Sequence, residues 1–383
     1  MGGMEYIRNL ARAIAAETAS NPDSVKVSLI YGDKQKSAWQ GTNRDGGSEI
    51  ALSRRRRNLP IIGRVFPAGN EHFLAPVKAA GCDFIYPLTY DNQYNIDVTL
   101  PLGGGRLPFR WAGWIPDFQH RYLPQLFTEA EIAKRNRGIE ALVQDAPTIV
   151  LSSKTAAEDL KRFHPAADHK AEVLTFATFP DPGWYSDDCG EDLSWLPSRF
   201  FLVSNQFWKH KNHLVLFEAL HLLAAKGIRP VVVCTGQLQD FRDPDYANLI
   251  LQSLHKMGIA NQVLLLGLVA RRSQIEMMRR SLAVVQPSLF EGWSTVVEDS
   301  RVLGKRCVLS DIAVHREQDP PGALFFDPAN PQALADRLAE AWETLTPGPD
   351  TNAETEARER AEKRLAEVGR TFLDIARRAC SRA

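Results

Sequence analysis

At 383 residues, with 44% hydrophobic and 24% charged side chains, the chain has apolar material for two domains of ordinary size, each with its own core. Lys+Arg and Asp+Glu both number 46, and this zero net charge argues against a nucleic-acid or general polyanion partner. No apolar run reaches the length of a membrane span, no signal-peptide pattern opens the chain, and Cys82, Cys189, Cys234, Cys307 and Cys380 form no C-x-x-C pair, so a cytoplasmic protein without structural zinc is expected.

In chain order, the first half reads as strands at 25–31, 83–87, 96–102, 148–152 and 173–176, with helical periodicity at 4–17, 129–143 and 155–163. A polar stretch rich in Asp, Gly and Pro, 180–198, reads as a linker. Beyond it the alternation is cleaner: strands at 200–204, 230–235, 263–268, 282–286, 306–310 and 324–326, separated by helices near 212–226, 244–258, 272–280, 295–303 and 331–345. Strands apolar on both faces and divided by helices predict parallel, doubly wound sheets. The reading is two Rossmann-like domains, 1–185 and 199–352, followed by a helical segment, 353–383, rich in Glu, Arg and Ala.

The stretch from Gln286 to Asp299 carries the most chemistry. A buried strand runs out at Gln286, Pro287 and Gly292 punctuate a loop, and a helix opens at about Thr295 and stops at Gly304. Free N–H groups and the positive dipole end at a helix start suit a phosphate, here around Ser294, Thr295 and Val296. Glu291 precedes this start, and Glu298 and Asp299 follow one turn inside it. Thr295-x-x-Glu298 reads as a capping box, which leaves Asp299 for a ligand; the opposite assignment stays open, as does an ordinary βα turn with surface acids.

These residues resemble the signature of the retaining glycosyltransferases of family 4, Glu-Gly-Phe-Gly-Leu-Pro-x-x-Glu-Ala, with Glu291 on the first glutamate and Asp299 on the second. The resemblance spans nearly the whole chain and is strongest from 200 to 328. It implies the GT-B architecture, two Rossmann-like domains facing a cleft, with the last helix crossing back to the first domain. It also implies transfer of a sugar from a nucleotide-diphosphate donor, with retention, to a hydroxyl of a glycan or lipid-linked oligosaccharide. Surface polysaccharide synthesis is the expected setting.

Carried over residue by residue, Glu291 would meet the transferred sugar and Asp299 (or Glu298) the ribose. Lys211 in Asn205-Gln206-Phe207-Trp208-Lys209-His210-Lys211 matches the lysine that clamps the donor diphosphate; Gln206 stands where the family has arginine, and Lys209 is the neighbouring substitute. Asp117 and His120 match a first-domain Ile-His-Asp-x-x-His segment whose first histidine is here Pro116, and would bind the sugar or orient the acceptor. Gly2-Gly3 resembles the family's first Gly-Gly phosphate loop, with no room for the strand that precedes it, so a missing first strand is expected. With no placed nucleophile, front-face attack is expected. No resident cofactor is expected, and no metal, since no ligand cluster is read.

Two other readings remain. The departures at Pro116 and Gln206 fit a catalytically weakened sugar-nucleotide-binding or scaffold subunit; a dehydrogenase is disfavoured by the lack of a G-x-G-x-x-G after a first strand. The arginine run 54–57, beside Leu59-Pro60-Ile61-Ile62, reads as a solvated loop or as a peripheral contact with anionic membrane.

Overall fold

The computed structural model describes residues 2–19, 25–32, 48–52, 71–89, 109–186, 191–240 and 242–381. The strand expected at 96–102, the arginine run 54–57 and Cys189 lie outside the described residues. The chain forms two compact units, Met1–Thr175 together with Leu365–Ala383, and Phe176–Arg364.

The first unit contains α1 (Gly2–Thr18), β1 (Ser28–Gly32), β2 (Ser48–Leu52), α2 (Glu71–Ala79), β3 (Phe84–Leu88), β4 (Arg110–Ile115), α3 (Gln119–Tyr122), α4 (Glu129–Asp145), β5 (Ile149–Leu151), α5 (Lys154–Phe163) and β6 (Ala171–Val173). Strands β3-β4-β5-β6 form one parallel sheet and β1-β2 a parallel pair. Thr128 and Glu131 form a reciprocal capping box that starts α4, and Ser153 caps α5. The Gly-Gly stretch is not a loop: Gly2 and Gly3 are the first turn of α1. Strands β2 and β4 and helix α2 were not read from the sequence.

The second unit runs β7 (Phe201–Ser204), α6 (His213–Ala225), β8 (Val232–Thr235), α7 (Tyr246–Lys256), β9 (Val263–Leu265), α8 (Arg271–Arg280), β10 (Val284–Gln286), α9 (Thr295–Val302), β11 (Cys307–Ser310), α10 (Ala313–Gln318), β12 (Leu324–Phe326) and α11 (Pro331–Thr344). Helix α12 (Thr351–Ser381) begins in this unit, and its residues from Leu365 onward belong to the first. The sheet is parallel, in the order β12-β11-β10-β7-β8-β9.

The period-2 rule of strands builds two cores here. Phe201, Val203, Val232, Cys234, Val285 and Val308 face one apolar cluster with α6, α7 and α11. Leu202, Val233, Val284, Cys307 and Leu309 face the other with α8 and α9. Every residue of β7, β8, β10 and β11 is buried, which is why these strands read as unbroken apolar runs. The expected linker is partly structural: Trp184 and Tyr185 pack on the second cluster, and the Tyr185 hydroxyl donates to the Val302 carbonyl (2.9 Å).

Candidate functional site

The strand order reverses between β7 and β10. From β7 the chain moves outward through β8 and β9, and from β10 the other way through β11 and β12. Loops leaving such a pair diverge and open a crevice at the carboxyl ends of the strands, where open α/β sheets bind ligands. The first residue after β7 and the last of β10 lock together across this point: Asn205 Nδ2 donates to Gln286 Oε1 (2.8 Å) and Gln286 Nε2 to Asn205 Oδ1 (3.1 Å). The turn after β8 must come close to the same place. A Cβ on Gly236 would stand 2.0 Å from the Asn205 carbonyl oxygen, and its φ of +121° independently favours glycine.

Glu291 lies in the loop beyond β10 and is 9% exposed. Its Oε1 accepts from Lys211 Nζ (2.6 Å), Ser288 Oγ (2.6 Å) and Gln286 Nε2 (2.9 Å). Among the described residues, every bond to the carboxylate ends on this oxygen, which leaves Oε2 for a ligand. Burial alone would raise the Glu291 pKa, but the Lys211 ammonium, through its charge and its hydrogen bond, outweighs it and holds it at about 2. The backbone joins the two loops as well, the Leu289 N–H donating to the His210 carbonyl (2.8 Å).

The histidines around this pair are neutral. Burial, then the Lys211 charge, pushes His210 and His213 down to about 3. His213 stacks on Phe207 with ring centroids 4.0 Å apart. His315 is fully buried after β11, its Nδ1 2.9 Å from the Ser310 carbonyl. A carbonyl only accepts, so Nδ1 carries the proton and Nε2 is the bare nitrogen.

The helix after the Glu291 loop starts one residue earlier than a Thr295 cap requires. Ser294 is the N-cap, its side chain accepting from the Val297 N–H (3.4 Å). Glu298 does not reach back to complete a capping box. It is 1% exposed and is bonded instead by Arg364 (2.6 Å) and Gln318 (3.0 Å). Gln318 also takes the Ser294 N–H (3.2 Å), so the N–H groups of Thr295 and Val296 are the ones in the first turn without a partner among the described residues. Asp299, 2% exposed, pairs with Arg271 (2.7 Å) and accepts from Thr178 (3.0 Å). Arg271 lies over the Trp184 ring (4.8 Å) and bonds Gln274 (3.0 Å), whose amide donates to Ser204 beside Thr235 (3.0 Å). A continuous polar line thus runs from Asp299 to the ends of β7 and β8.

Glu291, Lys211, Thr295 and Val296 are therefore brought to one sheet edge. Lys209 is not: its ammonium pairs with Asp243 (2.5 Å), so it does not stand in for the missing arginine, and Gln206 is used to hold the Gln237 N–H (3.0 Å). Asp243-Pro244-Asp245 is an acid-x-acid spacing, yet Asp243 is taken by Lys209 and by the Asp245 N–H (3.2 Å). Among the described residues no cluster of three or more His, Cys, Asp or Glu has metal-holding geometry.

In the first unit, Asp117 lies just before α3 and accepts from the Gln119 N–H (2.9 Å). His120 is buried against Asn136 (2.9 Å), and its Nδ1 is enclosed without a partner. Burial, the largest effect, lowers its pKa. The α3 turn folds the ring inward, away from the open surface on which the sugar-binding or acceptor-orienting role implied by the resemblance would place it. Asn205, Gln286, Ser288, His315, Gln318 and Arg271 were not singled out as site residues. The one signal for the first two was an amide side chain ending each of two apolar strands.

This architecture, two parallel-sheet α/β units whose second opens a polar crevice at its switch point, is the GT-B fold. Residues 194–364 match the family described as glycosyl transferases group 1. The fold is shared with a glycosyltransferase from Rickettsia africae (13% identity, TM-score 0.65, 98% of this chain and 95% of that one). It is shared also with HepE of Anabaena, solved with UDP and glucose (14%, 0.63, 94% of each). Sucrose-phosphate synthase of Thermosynechococcus elongatus aligns at 15% identity and TM-score 0.55 over 86% of this chain and 81% of that one. No curated protein matches.

Proposed function

We propose that the chain is a glycosyltransferase that moves a hexosyl group from a nucleotide-diphosphate sugar to a hydroxyl of a glycan or lipid-linked acceptor, with retention at the anomeric carbon. The setting we propose is surface polysaccharide assembly at the cytoplasmic membrane face. The observation that carries the reading is the Lys211–Glu291 pair at the switch point, beside the open N–H groups of Thr295 and Val296. An ammonium and two helix-start amides suit a diphosphate, and a carboxylate with one oxygen held and one open suits sugar hydroxyls. HepE of Anabaena binding UDP-glucose on the same fold supports a UDP-sugar as the first donor to try.

In this reading Lys211 and the amides of α9 stabilise the negative charge that grows on the leaving diphosphate as the glycosidic bond breaks. Glu291 fixes the sugar through Oε2. The leaving phosphate accepts the proton of the attacking hydroxyl on the same face, which preserves the anomeric configuration. Asp299, turned by Arg271, is the carboxylate we assign to the ribose. The test is a screen of nucleotide sugars with and without glycan acceptors, reading nucleoside diphosphate release. Release with at least one donor supports the reading; binding without turnover points to a weakened sugar-nucleotide-binding subunit, and absence of both overturns it.

A further inference from the structure

Glu298 is 1% exposed within α9, between the buried Val297 and Asp299, where a charge needs a partner. Its partners close a ring. Glu298 Oε2 takes Arg364 Nη1 (2.6 Å), and Arg364 Nη2 donates to the Phe176 carbonyl (3.2 Å). The indole N–H of Trp293 donates to that same carbonyl (3.1 Å). On the other side, Gln318 Nε2 donates to Glu298 Oε1 (3.0 Å) and to the Ser294 carbonyl (2.9 Å), while its Oε1 takes the Ser294 N–H (3.2 Å). The ring thus begins on Trp293 and ends on Ser294, two consecutive residues, and the N–H groups of Thr295 and Val296 follow at once. Arg301 fastens it further by donating to the Gln318 carbonyl.

We propose that Arg364 is a positioning residue: through Glu298 and the Phe176 carbonyl it fixes the Trp293–Val296 peptides in the orientation that a donor diphosphate requires. This rests on the function proposed above. The geometry argues for it because a loop can rotate about one anchor but not about two on adjacent residues. Amides aimed in advance bind an anion without the cost of first being ordered. Both chain crossings meet in the ring, Phe176 being the first and Arg364 the last residue of the second unit. The ring also explains why neither acid of α9 can be assigned by spacing alone: Glu298 is turned to Arg364, and the next residue, about 100° round the helix, to Arg271.

The test has two arms on the full chain. In the first, hydrogen exchange at the Ser294 amide, which the ring holds through Gln318, is compared without ligand in wild type, Arg364→Ala and Arg364→Lys. We expect acceleration of about tenfold in Arg364→Ala, the size of a lost hydrogen bond to a charged group, with Arg364→Lys intermediate because one ammonium cannot serve both Glu298 and Phe176. In the second, UDP, GDP and ADP are titrated into the same proteins and turnover is measured with the donor found. We expect weaker nucleotide binding and a raised donor KM by a similar factor, with kcat changed less. Unchanged exchange overturns the proposal whatever binds. Faster exchange with unchanged affinity overturns the donor role. A wild type that binds none of the three nucleotides, while exchange responds, overturns the function reading and with it the donor role of Arg364. Should Arg364→Ala not fold, Trp293→Phe removes the other bond to Phe176 and is read in the same two ways.

Discussion

The carboxylate of Glu291 and the ammonium of Lys211 are both charged in a place where neither is stable alone. Lys211→Ala leaves the Glu291 charge buried, and breaking such a pair costs about 3–5 kcal/mol, visible in chemical denaturation. Nucleotide binding should weaken in the same variant. The pH dependence follows from the depressed Glu291 pKa of about 2 against an ordinary 4.5. A depressed folded pKa contributes stability that is present above the unfolded value and lost as pH falls through the folded one. Glu291→Gln removes that contribution, so its melting temperature should fall less than that of wild type between pH 5 and pH 2. An equal fall in both would show the carboxylate to be ordinary. Asp299→Asn tests the ribose assignment: the UDP dissociation constant should rise about tenfold, as for a lost hydrogen bond to a charged group, and calorimetry reads it directly. Glu291, Lys211 and Asp299 were named from the sequence through their match to the family's motifs beside a strand end and a helix start. Gln318, Arg271 and Arg364 were not, since their roles come from side chains meeting across the fold from 20 to 66 residues away.

Helices and strands of the second unit were read almost in full, because a sheet covered on both faces leaves runs whose ends are punctuated by glycine and polar residues. The short α10 was missed, since its six residues are too few to show a period. The first unit was harder, with α2 carrying an internal proline and β4 beginning on an arginine. The cap of α9 was misread because serine and threonine stand side by side at its start, and burial of Glu298 decides between them. Glycine at helix ends provides a prediction with an internal control. Gly304 follows α9 with φ of +61°, and an added Cβ would meet the Ala353 carbonyl oxygen at 2.5 Å; Gly258, after α7, has φ of +67° and nothing within 4 Å. Alanine at Gly258 should cost about 1 kcal/mol for the left-handed backbone alone. Alanine at Gly304 must also push α12 from α9 and should cost clearly more, with nucleotide binding affected only there. Equal melting temperatures for the two variants would mean that the contact with α12 carries no weight.

The chain does not complete its first unit until its last residues. Residues 365–381 of α12 pack on α1 so closely that a Cβ on Gly369 would stand 2.1 Å from the Ala13 carbonyl oxygen. Phe372 meets the rings of Phe84 and Tyr86 of β3 at 6.1 and 5.5 Å, and Arg370 and Arg378 pair with Glu17 and Glu172 at 3.2 and 2.8 Å. These pairs are largely exposed on the arginine side and contribute little. The apolar seam of Phe372, Leu373, Ile375 and Ala379, all buried, stabilises the junction more than the ion pairs do. Composition alone announced two domains; that the last helix returns to the first was implied by the family resemblance, since a Glu- and Arg-rich helix by itself reads as solvated until its apolar stripe finds a partner. The second unit closes on itself, its sheet and both cores drawn from Phe176–Arg364. Deleting 365–383 should therefore act on one unit. We expect the truncated chain to lose the cooperative melting of its first unit while the second retains its own transition and its affinity for nucleotide. Two calorimetric transitions in the full chain, of which only one disappears on truncation, would bear this out. A truncated chain that melts as the full one does, or that loses nucleotide binding altogether, would show that the last helix serves the other unit instead.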